Sequence, residues 1–224
     1  MSKWMVKGFT LENYLQGCRQ ADMTNFKRDY RLTAIFEHCS IEVGRQYILK
    51  IKETNPSWLK HKWTNDLTGG AKRYAYDDIT ASPSTLQYIG VMNNLVNLFG
   101  PLSGKKICEI GGGYGGQAKT IYDMYTPLWY HIIDLPEVCE LQQRYLTGLP
   151  VESFDHPTGE KYDLVISNYS LSEISDPSEY ICKVLMKSKH GYITCNTDKV
   201  LLPFKHNQMP DIPGERSTNY ILTW

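Results

Sequence analysis

The sequence predicts an α/β protein: a doubly wound, mostly parallel Rossmann-like sheet over residues 105–224, preceded by an N-terminal helical extension or lid over residues 1–104. Three observations carry this expectation. Apolar residues recur at helical spacing up to about position 100, whereas from Lys106 onward short apolar runs alternate with helix-length segments, the pattern of a parallel sheet covered on both faces. The run Lys106-Ile107-Cys108-Glu109-Ile110 opens into Gly111-Gly112-Gly113-Tyr114-Gly115-Gly116-Gln117, five glycines within six positions. Glycines that dense after a strand permit a sharp turn and a close approach of the backbone to a nucleotide-type ligand. Finally, 224 residues suit one such domain with an elaboration rather than two full domains.

Taken in chain order, Leu11 to Gln16 predict a short helical turn ended by Gly17. Phe26, Tyr30, Ile35, Phe36, Val43, Tyr47, Ile48 and Ile51 place most of the first sixty residues in helices. Breaks at Asn65-Asp66-Leu67-Thr68-Gly69-Gly70 and Ala81-Ser82-Pro83 precede a helix from Ser84 to Phe99, with Ser82 as cap and Pro83 in its first turn. Strands are expected at 106–110, 128–133, 151–154, 162–167 and 191–195. Between them fall helices at 117–125, at 136–147 stopped by Gly148, and at 177–188. For the last, Asp176 can cap, Pro177 fits the first position and Glu179 is the capping-box acid. A strand at 220–224 closes the sheet in a sense that the sequence leaves open.

Composition excludes several function classes. Lysine plus arginine equal aspartate plus glutamate at 24 each, so no net positive charge steers the chain toward nucleic acid or anionic lipid. The six cysteines are scattered singly and contain no Cys-x-x-Cys pair, which fits reduced core thiols better than zinc or a redox dithiol. Neither a secretory leader nor a run of roughly 18 apolar residues is found, so a soluble, cytoplasmic protein is expected. Sixteen tyrosines and five tryptophans suit packing first and a sugar-facing cleft second.

The glycine run leaves the nucleotide open. Gly111, Gly113 and Gly116 satisfy G-x-G-x-x-G, and Asp134 ends the next strand where a ribose-binding acid belongs, so NAD is permitted. Glu109, two residues before the first glycine and expected to face the same crevice, suits a cationic ligand better than a pyrophosphate. Asp155 ends the third strand in the same way, and too little chain follows the fifth strand for a second nucleotide-binding half. Each acid also has a plain structural role open to it: a salt bridge for Glu109, a helix cap for Asp134, a turn before Pro157 for Asp155.

The alternation E-x-G-x-G-x-G over Glu109 to Gly115 resembles the first motif of the large S-adenosylmethionine-dependent methyltransferase family. More narrowly, Glu109-Ile110-Gly111-Gly112-Gly113-Tyr114-Gly115-Gly116-Gln117, Asp134-Leu135-Pro136-Glu137 and Ser167-Asn168-Tyr169-Ser170-Leu171-Ser172-Glu173 resemble the sugar O-methyltransferases, with the similarity beginning near Asn65. The resemblance implies S-adenosylmethionine as donor, S-adenosylhomocysteine as product, and a hydroxyl of a sugar or glycan as acceptor. It implies a cofactor site made of Glu109, Gly111, Gly113, Tyr114, Gly115, Gly116, Gln117, Asp134, Leu135, Asp155, His156 and Asn168. In it, Asp134 takes the ribose hydroxyls, Asp155 takes the adenine amino group, and His156 neighbours that acid or packs on the base. Plant-type O-methyltransferases carry a His-Asp pair where this chain has Ser172-Glu173, so their histidine base is missing.

Catalysis then rests on other residues. Glu173, in the loop after the fourth strand, is the first candidate base, and His206, in Pro203-Phe204-Lys205-His206-Asn207, the second. Asn65, Asp66, Tyr74, Tyr76, Tyr169 and Ser172 are the candidate acceptor contacts, with a folded cover over apolar helices as the alternative role of the segment from Asn65 to Tyr76. The absence of Asn-Pro-Pro-Tyr at Asn168 weighs against methylation of a nucleobase amine. No acidic cluster is evident for a divalent metal, although Asp66, Glu173 and Asp198 could converge in three dimensions. The N-terminal helices either roof the acceptor cleft or form a homodimer interface. A phenol or polyketide acceptor, and a non-catalytic cofactor-binding protein, are the competing expectations.

Overall fold

The computed structural model describes residues 10–77, 79–196, 200–214 and 216–224. The chain opens with α1 (Leu11–Arg19), where the Thr10 side chain accepts from the Asn13 N–H at 3.1 Å. Gly17 does not stop this helix. It lies inside α1, where an added Cβ would sit 2.8 Å from Leu32 Cδ2, so the glycine serves close packing against α2 (Tyr30–Phe36). Asp29 caps α2, and Ser40 caps α3 (Ile41–Thr54).

The breaks expected at 65–83 hold structure that the sequence pattern did not announce. Asn65–Leu67 form a 3₁₀ turn, and β1 (Tyr74–Tyr76) pairs antiparallel with β2 (Ile79–Ala81). Strands of three residues are too short to display an alternation. Then follows α4 (Pro83–Phe99), with Ser82 Oγ accepting from the Thr85 N–H at 3.1 Å and Pro83 in the first turn. α3 and α4 pack so closely that a Cβ on Gly90 would lie 2.1 Å from a Tyr47 ring carbon.

The sheet is built from β3 (Lys106–Ile110), β4 (Trp129–Ile133), β5 (Val151–Phe154), β6 (Leu164–Asn168), β7 (His190–Cys195), β8 (Asn207–Pro210) and β9 (Tyr220–Thr223), in the order β5-β4-β3-β6-β7-β9-β8. The first five of that order run parallel, and β9 lies antiparallel to both β7 and β8. β8 was not anticipated: its residues Asn207-Gln208-Met209-Pro210 are polar and end in proline, as suits a sheet edge and not a buried strand.

α5 (Gly116–Tyr122) and α6 (Pro136–Tyr145) connect the strands, and α7 (Ser178–Lys183) is shorter than the helix expected at 177–188. It gives way at Val184 (φ −118°) to a 3₁₀ turn at Leu185–Lys187. Asp176 accepts from the Ser178 N–H at 3.0 Å, Pro177 precedes the helix, and Glu179 pairs with Lys183 at 2.7 Å instead of closing a capping box.

Ile107, Tyr130, Ile132, Leu164, Ile166 and Tyr192 on one sheet face join Leu32, Phe36, Ile51, Leu86 and Met92 of the N-terminal helices in a single hydrophobic core. Cys108, Ile110, Ile133, Val165 and Ile193 on the other face pack with Leu171, Val184 and Leu185. Five cysteines are buried and all six are free thiols. Among the described residues no helix is long and apolar enough to cross a membrane. Because the chain steps from β3 outward to β5 and then crosses to β6 on the other side, the carboxyl ends of β3 and β6 diverge into a crevice.

Candidate functional site

The glycine loop fills the mouth of that crevice. Gly111 has φ +71°, and a Cβ there would lie 2.0 Å from Ser170 Oγ, so any side chain would collide with the loop after β6. Gly113 (φ +55°) donates its N–H to Asp134 Oδ2 at 3.0 Å, which ties the loop to the end of β4. Asp134 also accepts from the Leu135 N–H at 2.8 Å and from Gln142 Nε2 at 3.2 Å. Burial nevertheless pushes its carboxyl up to about 7, because these three bonds only partly offset the lost hydration.

Beside the loop lies a cleft of about 330 Å³. Gly111, Gly113, Asp134, Leu135 and Asp155 line one side; Ser170, Glu173, Ile174 and Tyr180 line another; Leu11, Tyr14 and Ile35 cover it from α1 and α2. Among the described residues three carboxylates face this cleft, and no lysine, arginine or histidine does. Such a set of acceptors repels a pyrophosphate. It fits S-adenosylmethionine, whose ammonium and sulfonium are cationic and whose ribose hydroxyls and adenine amino group donate hydrogen bonds.

A second cavity, of about 270 Å³, adjoins the first. Ile35, Ser170 and Glu173 line both. The rest of its wall is Ala34, His38, Asn168, Tyr169, Asn196, Arg216 and Asn219. Glu173 Oε1 accepts from Asn196 Nδ2 at 2.9 Å, and burial holds the Glu173 carboxyl above its ordinary value, an effect the Asn196 bond opposes. Tyr169 adopts φ +70°, a strained conformation for a bulky residue. It is kept there by its N–H on the Thr194 carbonyl (2.9 Å) and its Oη on Asp211 Oδ2 (3.0 Å).

Several residues expected at the site lie elsewhere. Glu109 does not face the crevice: it is 2% exposed beneath the loop, on the sheet face toward the N-terminal helices, and accepts from Tyr130 Oη at 2.8 Å. Tyr114 and Gln117 are wholly buried. The Tyr114 ring packs edge-on to Phe26, Phe36 and Tyr145, and Gln117 Nε2 donates to the Tyr88 carbonyl at 3.1 Å. Gly115 and Gly116 abut Leu146 and Tyr88, where they allow α5 to pack. His156 stands outside the cleft with its ring on Asp155 at 2.6 Å. Asn168 lines the second cavity instead of the first.

The segment from Asn65 is likewise structural. Asn65 is fully buried, bonding Thr85, Tyr114 and Tyr145, and its carbonyl accepts from Lys27 Nζ at 2.5 Å. Asp66 takes Ser82 N–H and Oγ and Thr85 Oγ1 at 2.6–2.7 Å, which secures the start of α4. Tyr76 is 3% exposed beside Gly44, and Tyr74 packs against the same core. Ser172 is buried with its Oγ on the Tyr169 carbonyl at 2.7 Å, and His206 Nδ1 lies 2.9 Å from the Phe204 carbonyl oxygen, on neither cavity wall. Asp198 lies outside the described residues, among which no three His, Cys, Asp or Glu gather to hold a metal.

The sequence offered the N-terminal helices as a roof without naming residues; those on the cavity walls are Leu11 and Tyr14 of α1, Ala34 and Ile35 of α2 and His38 just beyond it, and the C-terminal residues Asn196, Arg216 and Asn219 were likewise not named. The former carry only a helical apolar pattern, which does not distinguish a cleft wall from core. The position of Asn196 one residue past β7 was a usable signal, since strand ends form the crevice.

Burial of Glu109 has a measurable consequence. Desolvation raises its carboxyl from about 4.5 to about 7, with the Tyr130 hydrogen bond opposing the shift and the nearby Asp134 charge adding to it. A carboxyl raised in the folded state contributes stability that is full below the unfolded value and lost as pH climbs to the folded one. Glu109→Gln is therefore expected to gain on the native chain by about 3 kcal/mol between pH 4.5 and pH 8. Urea titrations at the two pH values check this, and a difference that does not change with pH refutes the assignment.

The fold and the acid-lined cleft define an S-adenosylmethionine-dependent methyltransferase of Rossmann-like architecture. The model of the O-methyltransferase domain matches residues 67–197, and the chain belongs to that family. Among solved structures, the Thermoplasma acidophilum protein 1320 is similar at 17% identity and a TM-score of 0.43, covering 63% of this chain and 87% of that one. An S-adenosylmethionine-dependent methyltransferase from Mesorhizobium loti has 20% identity and a TM-score of 0.38, covering 46% of this chain and 51% of its own. CalS10, an amino pentose methyltransferase from Micromonospora echinaspora, has 14% identity and a TM-score of 0.39, covering 48% of each chain. The chain thus spans about half the length of the latter two. No curated protein matches significantly.

Proposed function

We propose that this chain transfers a methyl group to a hydroxyl of a sugar or glycan bound in the second cavity. The observation that carries the reading is the position of Glu173, whose side chain lines both cavities and so stands where donor and acceptor would meet. The acceptor class is supported by the hydrogen-bonding side chains Asn168, Ser170, Asn196, Arg216 and Asn219 that share the wall of the second cavity with the apolar surface of Ala34, Ile35 and the Tyr169 ring. A phenol would be better served by a largely apolar slot, whereas a polyol requires hydrogen-bonding partners on several sides.

When bound, S-adenosylmethionine supplies a methyl carbon whose bond to sulfur breaks with the electron pair staying on sulfur, so the leaving group is a neutral thioether. Asp134 would accept from the ribose hydroxyls and Asp155 from the adenine amino group, and the loop from Gly111 to Gly113 would let the backbone approach. Glu173 accepts the proton of the acceptor hydroxyl on its carboxylate and later releases it to solvent. Burial raises its pKa, which makes it a stronger base than an exposed glutamate. Leu11, Tyr14 and Ile35 exclude water from the junction, in the role of a lid.

The test is an acceptor panel of methyl hexosides and deoxyhexosides against simple phenols and catechols, read as S-adenosylhomocysteine release. Turnover of a glycoside at least about tenfold above any phenol is expected. Turnover confined to phenols moves the chain to small-molecule O-methylation. Absence of S-adenosylhomocysteine binding by calorimetry removes the enzyme reading altogether.

A further inference from the structure

We propose that Asn196 is the positioning residue of this reaction, holding the Glu173 carboxylate at the junction of the two cavities and in its proton-accepting form. The proposal rests on Glu173 being the base. Asn196 is 3% exposed, follows directly on β7 and lines the acceptor cavity. Its Nδ2 donates to Glu173 Oε1 at 2.9 Å, and its Oδ1 lies 3.0 Å from Ser172 Oγ. The amide can have only this orientation, since the reverse would set its oxygen against a carboxylate oxygen.

The same residue is clamped at its backbone. Ser172 Oγ takes the Asn196 N–H at 3.5 Å and reaches the Tyr169 carbonyl at 2.7 Å, so the end of β7 and the 3₁₀ turn Ser170–Glu173 are fastened together through one hydroxyl. Among the described residues no other hydrogen bond to the Glu173 carboxylate is formed. Asn196 therefore engages one carboxylate oxygen and leaves the second for the acceptor proton. A hydrogen bond donated to the ionised form favours it, and here it acts against the burial that disfavours it.

The other titratable or charged groups on the two cavity walls are His38, just beyond α2, and Arg216 on the acceptor side, and Asp134 and Asp155 on the cofactor side; the shift of Glu173 has burial, opposed by Asn196, as its cause. Tyr14, Tyr169 and Tyr180, which also line these walls, are all pushed upward by burial and stay neutral over the working range.

The test is the pH profile of kcat for native chain, Glu173→Gln, Asn196→Ala and Asn196→Asp, with S-adenosylhomocysteine affinity measured for each. In Asn196→Ala the acid limb is expected to move up by about one pH unit, giving roughly tenfold slower turnover below neutrality and recovery at high pH, with acceptor KM and S-adenosylhomocysteine affinity within about threefold of native. Asn196→Asp, isosteric but placing a second acid beside Glu173, is expected to move the limb further. A loss of kcat equal at all pH values, with the limb in place, overturns the proposal and leaves Asn196 a packing residue. Should Asn196→Ala fail to bind S-adenosylhomocysteine, Asn196→Asp carries the decision, and an unmoved limb there overturns the proposal equally. If Glu173→Gln keeps its acid limb and its turnover, the base assignment falls first and takes this proposal with it.

Discussion

Asp134→Ala is expected to weaken S-adenosylhomocysteine binding by about 100-fold or more in calorimetry. The carboxylate sits at the end of β4 facing the cleft, and each hydrogen bond to a charged group is worth about 1.5–3 kcal/mol, so losing two ribose contacts reaches that factor. The truncation also frees the Gly113 N–H and Gln142 Nε2, which Asp134 now receives at 3.0 and 3.2 Å, and so loosens the glycine loop itself. Asp134→Asn separates the two effects, since it keeps an acceptor for Gly113 and loses the charge. Because burial raises the native carboxyl to about 7, affinity is expected to rise about tenfold from pH 6 to pH 8 in the native chain and to stay flat in Asp134→Asn. An Asp134→Ala protein that binds within threefold of native refutes the placement of the ribose.

The parts of this site that the sequence disclosed are those coded by local chain geometry. Gly111 and Gly113 need positive φ next to a strand end, and Asp134 follows the next strand, so pattern and position together point to the cleft. Glu109 was misplaced for a simple reason: alternation along β3 sends it to the opposite sheet face from Cys108 and Ile110, beneath the loop and against Tyr130. Tyr114, Asn65 and Asp66 were misassigned because polar residues in a glycine-rich break suggest ligand contact, whereas here they satisfy one another in the core beneath α4. The sequence left open whether the N-terminal helices roof the cleft or pair two chains, and which residues of α1 and α2 line it was illegible because that depends on tertiary packing: the Arg19–Glu137 ion pair and Arg144 bonding the Cys18 and Ala21 carbonyls hold α1 on α6 across more than a hundred residues of chain.

Glu173→Gln is expected to lower kcat by roughly 10²- to 10⁴-fold, the range a general base supplies, while S-adenosylhomocysteine affinity stays within about threefold. The amide keeps the volume of the side chain at the junction and can still meet Asn196, so packing is preserved and only the proton acceptor is lost. The native chain is expected to lose activity as pH falls through the raised Glu173 pKa, an acid limb that Glu173→Gln lacks. His206 offers a control outside both cavities: His206→Ala is expected to leave kcat unchanged. Native turnover in Glu173→Gln removes it as base.

If the donor cleft and the acceptor cavity that share Glu173 work as proposed, a methyl group passes from a ligand in the first to an oxygen held in the second. The most direct measurement is to incubate the chain with isotopically labelled S-adenosylmethionine and the best glycoside of the panel, then locate the label by NMR and mass spectrometry. The labelled methyl is expected on one sugar oxygen, with transfer at least about 100-fold slower in Glu173→Gln and S-adenosylhomocysteine binding retained. Label on nitrogen or on a phenolic oxygen, or unchanged transfer in Glu173→Gln, contradicts the proposal.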